Sequence, residues 1–193
     1  RVLEEHSDPT CIVTSFVNGS HISIQDVRKL PGNKKQELGR DVARFAYELH
    51  SLLPIDRVTE LRQEFEIDAL EDGSWSVYLD KTLIQTTFHT VQQDKIANDY
   101  YTRWQQIATN TQFVAIHDDL HSVNLLFEQD KLAGVLDFGD TNIGTPEQEL
   151  SYLYRLNEPV LSAAVETYNQ LSGKSLEIEA AKAWAIINEL AAY

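Results

Sequence analysis

The chain has 193 residues, a formal charge of -14 and 42% apolar side chains, enough for a substantial core in one domain or one large lobe. No apolar stretch approaches the roughly 18 residues that cross a bilayer, no basic-then-apolar segment opens the sequence as an export signal would, and the acidic balance argues against nucleic acid, whose phosphates need a basic face. Cys11 is the sole cysteine, which excludes an internal disulfide framework and fits a reducing cytoplasm.

In chain order, Cys11 to Val17 is a β-prone apolar run ended by the turn signal Asn18-Gly19. Pro31-Gly32-Asn33 then breaks the chain before a helix over 35–53, where Leu38, Val42, Phe45, Ala46, Leu49 and Leu52 recur at three- and four-residue steps and Pro54 stops the run. That packing pattern accounts for the segment completely and assigns His50 no chemistry. Residues 55–79 mix acidic and short apolar runs around a turn at Asp72-Gly73. Residues 82–109 read as a helix, with Trp104 and Ile107 as core anchors near its end.

Phe113 to Ile116 reads as a buried strand entering a polar loop, and Leu125 to Phe127 and Leu132 to Leu136 as two strands around a turn at 128–131. After Gly144-Thr145-Pro146 come a helix over 147–156, with Pro146, Glu147 and Glu149 as its start signals, and two more over 159–171 and 176–192. The last carries Ala181, Trp184, Ile187 and Leu190 on one side. No internal repeat, low-complexity tract or flexible linker interrupts this order.

Chemistry concentrates in His117-Asp118-Asp119-Leu120-His121-Ser122-Val123-Asn124 and in Leu136-Asp137-Phe138-Gly139-Asp140. The strand pair between them holds the two loop ends together. A carboxylate, an amide oxygen and a second carboxylate so placed suit phosphoryl transfer, in which one group orients the attacking hydroxyl and the others hold magnesium on nucleotide phosphates. Read one at a time, Asp118, Asp119 and Asn124 are also ordinary turn formers. His117 and His121 admit a zinc-binding reading, which leaves Asn124 and the Asp-Phe-Gly-Asp turn without a role.

The order His-x-Asp, then Asn five residues after the Asp, then Asp-Phe-Gly following a short strand pair, resembles the catalytic core of the protein-kinase-like fold. More closely it is similar to the aminoglycoside phosphotransferase and choline kinase family. The resemblance implies an α+β, mostly helical C-terminal lobe with a short catalytic β-hairpin. Residues 1–20 would then be a remnant of the N-terminal lobe and hinge, and residues 21–193 the catalytic and substrate-binding lobe. It covers the chain from Thr14 onward and lacks the phosphate-covering loop and strand lysine of the small lobe.

By this resemblance Asp119 is the catalytic base, Asn124 and Asp137 hold Mg2+, and Ser15 and Val17 meet the adenine edge of ATP or GTP at the hinge. His117 braces the loop. Asp140, Glu147 and Glu189 are the acceptor contacts it suggests. The implied activity moves a γ-phosphate onto a hydroxyl of an aminoglycoside-like or other amine-bearing acceptor, with a noncatalytic binding relative as the alternative. A cationic substrate also suits the charge, since from Tyr101 onward five Lys or Arg face thirteen Asp or Glu. The family usually has Gly or Asn where Asp118 stands, and two adjacent carboxylates raise each other's proton affinity.

Overall fold

The computed structural model describes residues 2–7, 10–14, 16–64, 91–108 and 112–191. Strands β1 (Val2–Ser7) and β2 (Thr10–Thr14) form an antiparallel hairpin. The run expected over Cys11 to Val17 thus begins and ends earlier, and residues 16–19 are irregular. Gly19, at φ 141°, lets this segment turn into the two-residue β3 (Ser20–His21).

A short helix α1 (Ile24–Lys29) follows, its first turn capped by the Ser23 hydroxyl, which accepts from the Asp26 amide at 3.1 Å. The long helix α2 (Gly32–Leu52) begins at the Pro-Gly break, as its periodicity predicts. Leu38, Val42, Ala43 and Ala46 are fully or almost fully buried, whereas Leu52, expected on the buried face, is 79% exposed in the last turn. Helix α3 (Ile55–Glu64) occupies the start of the segment of mixed acidic and short apolar runs. The rest of that segment, with residues 65–90, lies outside the described residues, and so does the expected beginning of the next helix, α4 (Val91–Ala108). Trp104 is 3% exposed and packs edge-on against Trp184 at 5.0 Å between ring centroids, which makes it the core anchor expected.

Strands β4 (Val114–Ile116), β5 (Leu125–Glu128), β6 (Lys131–Val135) and β7 (Asn142–Gly144) form two nested antiparallel pairs. Strand β5 also pairs with β3, giving the sheet order β3-β5-β6. Gln129 and Asp130, at φ 51° and 63°, form the tight two-residue turn between β5 and β6. Helices α5 (Pro146–Leu156), α6 (Glu158–Ser172) and α7 (Ile178–Ala191) complete the chain.

The core lies where α2, α5 and α6 meet the sheet, around Val42, Ala46, Leu125, Leu150, Leu153, Leu161 and Tyr168. Helices α2 and α6 approach so closely that a Cβ at Gly39 would stand 2.2 Å from the Val160 carbonyl oxygen. The segment before β3 is equally tight on the sheet: a Cβ at Gly134 of β6 would lie 2.6 Å from Val17 Cγ1. This contact seats the residues ahead of β3 directly over the β5–β6 hairpin.

Candidate active site

The nested strand pairs decide where the chemistry sits. Ile116 at the end of β4 faces Asn142 at the start of β7, while Leu125 opening β5 faces Val135 closing β6. The loops 117–124 and 136–141 therefore emerge side by side. The Leu136 peptide ties them, since its N–H donates to the Asn124 carbonyl at 2.9 Å and its carbonyl lies 2.8 Å from His117 Nε2.

That second contact fixes the state of His117. A carbonyl only accepts, so Nε2 carries the proton, and Nδ1 accepts from the Asp119 amide at 3.2 Å. Burial holds its proton affinity below the ordinary imidazole value, with the Leu136 contact opposing. Both ring nitrogens are engaged within the protein, which removes His117 as a metal ligand and with it the zinc reading. The ring packs edge-on against Phe138 at 4.7 Å, so one side chain braces both loops.

Asp119 is one-fifth exposed, and both of its carboxylate oxygens are directed by neighbours. Oδ1 lies 2.9 Å from His121 Nε2, and Oδ2 accepts from Asn124 Nδ2 at 2.7 Å. The same Asn124 nitrogen donates to the Asp119 carbonyl at 3.0 Å. Because the amide nitrogen is committed to Asp119, the Asn124 oxygen is the atom available as a ligand. Asp137 is exposed in the neighbouring turn at φ 60°, a left-handed conformation that Asp and Asn adopt more readily than most residues. An amide oxygen and a carboxylate form a hard, all-oxygen donor set, which suits Mg2+ better than zinc.

Asp118 also stands in the left-handed region, at φ 63°. This backbone requirement explains why a Gly or Asn at the position is natural. Its side chain is 6% exposed, and Oδ1 accepts from Gln148 Nε2 at 2.9 Å. The Tyr152 hydroxyl donates to its carbonyl.

Helix α5 is the platform beneath the loop. Thr145 caps it, accepting from the Gln148 amide at 3.1 Å, with Pro146 in the first turn as the sequence predicts. Glu149 is fully buried, and its two oxygens accept the His117 and Asp118 amides, each at 3.0 Å. Burial pushes the Glu149 carboxyl up to about 8 against the pull of those two amides. Sequence reading used Glu149 only as a helix-start signal. Its true signal is position: it shares the stripe of Leu153 and Leu156, four and seven residues on, where a carboxylate must find buried partners.

The remaining expected residues divide. Ser15 lies outside the described residues. Val17 is half-buried against Gly134 of β6, beside the hairpin that carries both loops. Asp140 is exposed just beyond the Asp137 turn. Glu147, expected at the acceptor, is instead 6% exposed in the first turn of α5, and its Oε2 meets no hydrogen-bond partner among the described residues. The cause is the helix start itself, which turns this face into the core. Glu189 pairs with Arg155 at a cavity of about 510 Å3 lined by residues of α1, α5, α7 and the start of α6, and by no residue of either loop. The structure does not bring it to Asp119. An apolar cavity of about 520 Å3 does open beside the second loop, lined by Leu49, Leu53, Val58, Leu61, Phe138 and Thr141 among others.

This architecture, a mostly helical α+β lobe with the 117–124 loop and the Asp-Phe-Gly turn on nested strand pairs, is protein-kinase-like. The model of the phosphotransferase enzyme family, APH, matches residues 2–185, and the chain belongs to that family. A comparison with curated proteins returned no match. Among solved structures, the GDP complex of wild-type aminoglycoside 2'-phosphotransferase-IIIa is similar at TM-score 0.69 and 20% identity, over 96% of this chain and 64% of that one. The streptomycin-ATP ternary complex of APH(2")-IIa is similar at TM-score 0.60 and 22% identity, over 90% and 59% of the two chains. A macrolide 2'-phosphotransferase type I gives TM-score 0.63 at 15% identity, over 83% and 53%. The chain thus spans less than two thirds of the length of these structures. Among the described residues, no helix is long and apolar enough to cross a membrane.

Proposed function

We propose that this chain carries the catalytic lobe of a small-molecule kinase that moves the γ-phosphate of a nucleoside triphosphate to a hydroxyl of an amine-bearing acceptor. The observation that carries the reading is the Asp119 carboxylate, held on one oxygen by His121 and on the other by Asn124, beside the Asp137 turn. Asp119 orients the acceptor hydroxyl and takes its proton. The hydroxyl oxygen bonds to the γ-phosphorus while the bond to the nucleoside diphosphate breaks. Asn124 Oδ1 and the Asp137 carboxylate would hold Mg2+, which neutralises phosphate charge when bound. The chain itself supplies position, through the rigid loop that Glu149 and His117 secure.

Val17, and Ser15 two positions earlier in the sequence, would meet the adenine or guanine edge through backbone groups, a contact compatible with ATP or GTP. Asp140 is the acidic group nearest in sequence to the Asp137 turn and the proposed contact for a cationic acceptor. Similar structures are complexes with streptomycin and ATP, and with kanamycin and GDP, which supports aminoglycosides as the first acceptors to try. The experiment is a transfer assay from ATP and from GTP to a panel of aminoglycosides and other amino alcohols. Magnesium-dependent phosphorylation that disappears in Asp119→Asn is expected. Nucleotide binding with no transfer to any acceptor would replace the kinase by a noncatalytic binding relative.

A further inference from the structure

Behind the catalytic loop, α2, α5 and α6 bring polar groups into the core. The His50 side chain is 2% exposed and Glu149 is fully buried. Tyr168 is 1% exposed. His50 Nδ1 lies 2.8 Å from the Tyr168 hydroxyl, which fixes the ring plane. That leaves Nε2 without a hydrogen-bond partner among the described residues, aimed at Glu149 Oε1 from 3.9 Å. A buried nitrogen so placed is costly unless it serves a neighbour. The gap exceeds a hydrogen bond by about 1 Å, a looseness typical of sites that tighten when loaded.

Charge decides what the pair must hold. With His50 neutral and Glu149 ionised, a net negative charge would be buried directly under Asp118 and Asp119. One further proton, on Oε1 or on Nε2 of a ring already protonated at Nδ1, removes it. We propose that His50 and Glu149 share one proton beyond that of the neutral imidazole and act as one positioning unit, His50 backing the carboxyl group that grips the His117 and Asp118 amides in front. Burial drives His50 down to about 3 and Glu149 up to about 8, and both directions leave one proton on the pair at neutral pH. The groups facing it are Tyr47 of α2, Glu147 and Tyr152 of α5, Tyr168 of α6, Lys174 beyond α6, and His117, Asp118 and Asp119 of the loop.

The catalytic consequence rests on the proposed kinase activity, so the test has an arm that needs no turnover. Long-range 15N-1H spectra of the histidine rings, with His50 assigned by its loss in His50→Gln, are expected to show no independent titration of His50 near pH 6.5 and a changed His50 signal in Glu149→Gln. A ring that titrates near 6.5 identically in wild type and Glu149→Gln overturns the pairing, whether or not phosphate is transferred. In the kinetic arm, His50→Leu is expected to lower kcat about tenfold or more with little change in the nucleotide KM. His50→Gln, whose amide can donate toward Oε1, restores part of it. Equal impairment of both variants, or wild-type kcat in His50→Leu, overturns the positioning role. Tyr168→Phe provides the same test without altering His50 and is expected to lower kcat less than His50→Leu does; wild-type kcat and an unchanged His50 spectrum in this variant would also overturn the proposal.

Discussion

Two adjacent carboxylates in one loop have different tasks because their backbones and neighbours differ. Asp118 occupies a left-handed position and turns its oxygen to Gln148, while Asp119 lies between His121 and Asn124. Asp119→Asn is expected to abolish phosphate transfer. Asp118→Asn keeps an acceptor for Gln148 and a side chain suited to positive φ, so it is expected to cost little. Steady-state kinetics of both variants check the ranking, and the reverse order would move the base to Asp118. Asp137→Ala removes one of the two proposed oxygen ligands. It is expected to weaken magnesium-dependent nucleotide binding in a titration while leaving magnesium-independent binding unchanged.

Elements act here as spacers. The β4–β7 and β5–β6 pairs set the distance between the loops, α5 supplies a capped platform below them, and α2 closes against α6 at Gly39. Thr145→Ala removes the hydroxyl that accepts the Gln148 amide. It is expected to destabilise the protein by about 1 kcal/mol in urea unfolding, and to affect transfer as well because Gln148 and Glu149 lie in the same turn. Gly39→Ala forces a methyl against the Val160 carbonyl, 2.2 Å away. An expected loss of about 1–3 kcal/mol follows from overpacking, and an unchanged denaturation midpoint would mean that α2 and α6 can separate at no cost.

Across the whole molecule, buried titratable groups and net charge set the response to solution conditions. Glu149 is pushed up to about 8 from an ordinary value of 4.5. Its contribution to stability is fully present below 4.5 and is lost as pH rises toward 8, by up to about 1.4 kcal/mol per pH unit. His50, pushed down from 6.5 to about 3, acts oppositely: its contribution is present above 6.5 and lost as pH falls toward 3. Thermal melts from pH 4 to 9 are therefore expected to decline on both sides of a maximum near 5–6, the alkaline decline being shallower in Glu149→Gln. The charge of -14 adds a long-range effect. If the acceptor is cationic, its kcat/KM is expected to fall as salt rises toward 0.5 M, since screening shortens the reach of the acidic lobe.

Local signals were enough for α2, the β5–β6 hairpin, the three helices after Gly144 and the motif. The periodicity of Leu38, Val42 and Ala46, the Pro146 start, the turn after β5, and the spacing of Asp119, Asn124 and Asp137 are all short-range, because helix faces, caps and tight turns depend on residues within a few positions of one another. The motif order was also sufficient to indicate the family and its kinase-like lobe. Only the tertiary structure decided that β7 pairs with β4 and so adds a second tie to the loops that the β5–β6 hairpin already joins, a contact across residues too far apart for any local pattern. It also turned Glu147 inward, left Glu189 with Arg155, converted Glu149 from a helix-start signal into the acceptor of the His117 and Asp118 amides, and set the buried His50 ring behind it. A carboxylate or imidazole looks the same in a sequence whether it faces water or a neighbour; burial and the partner met there decide which proton it holds and what it can position.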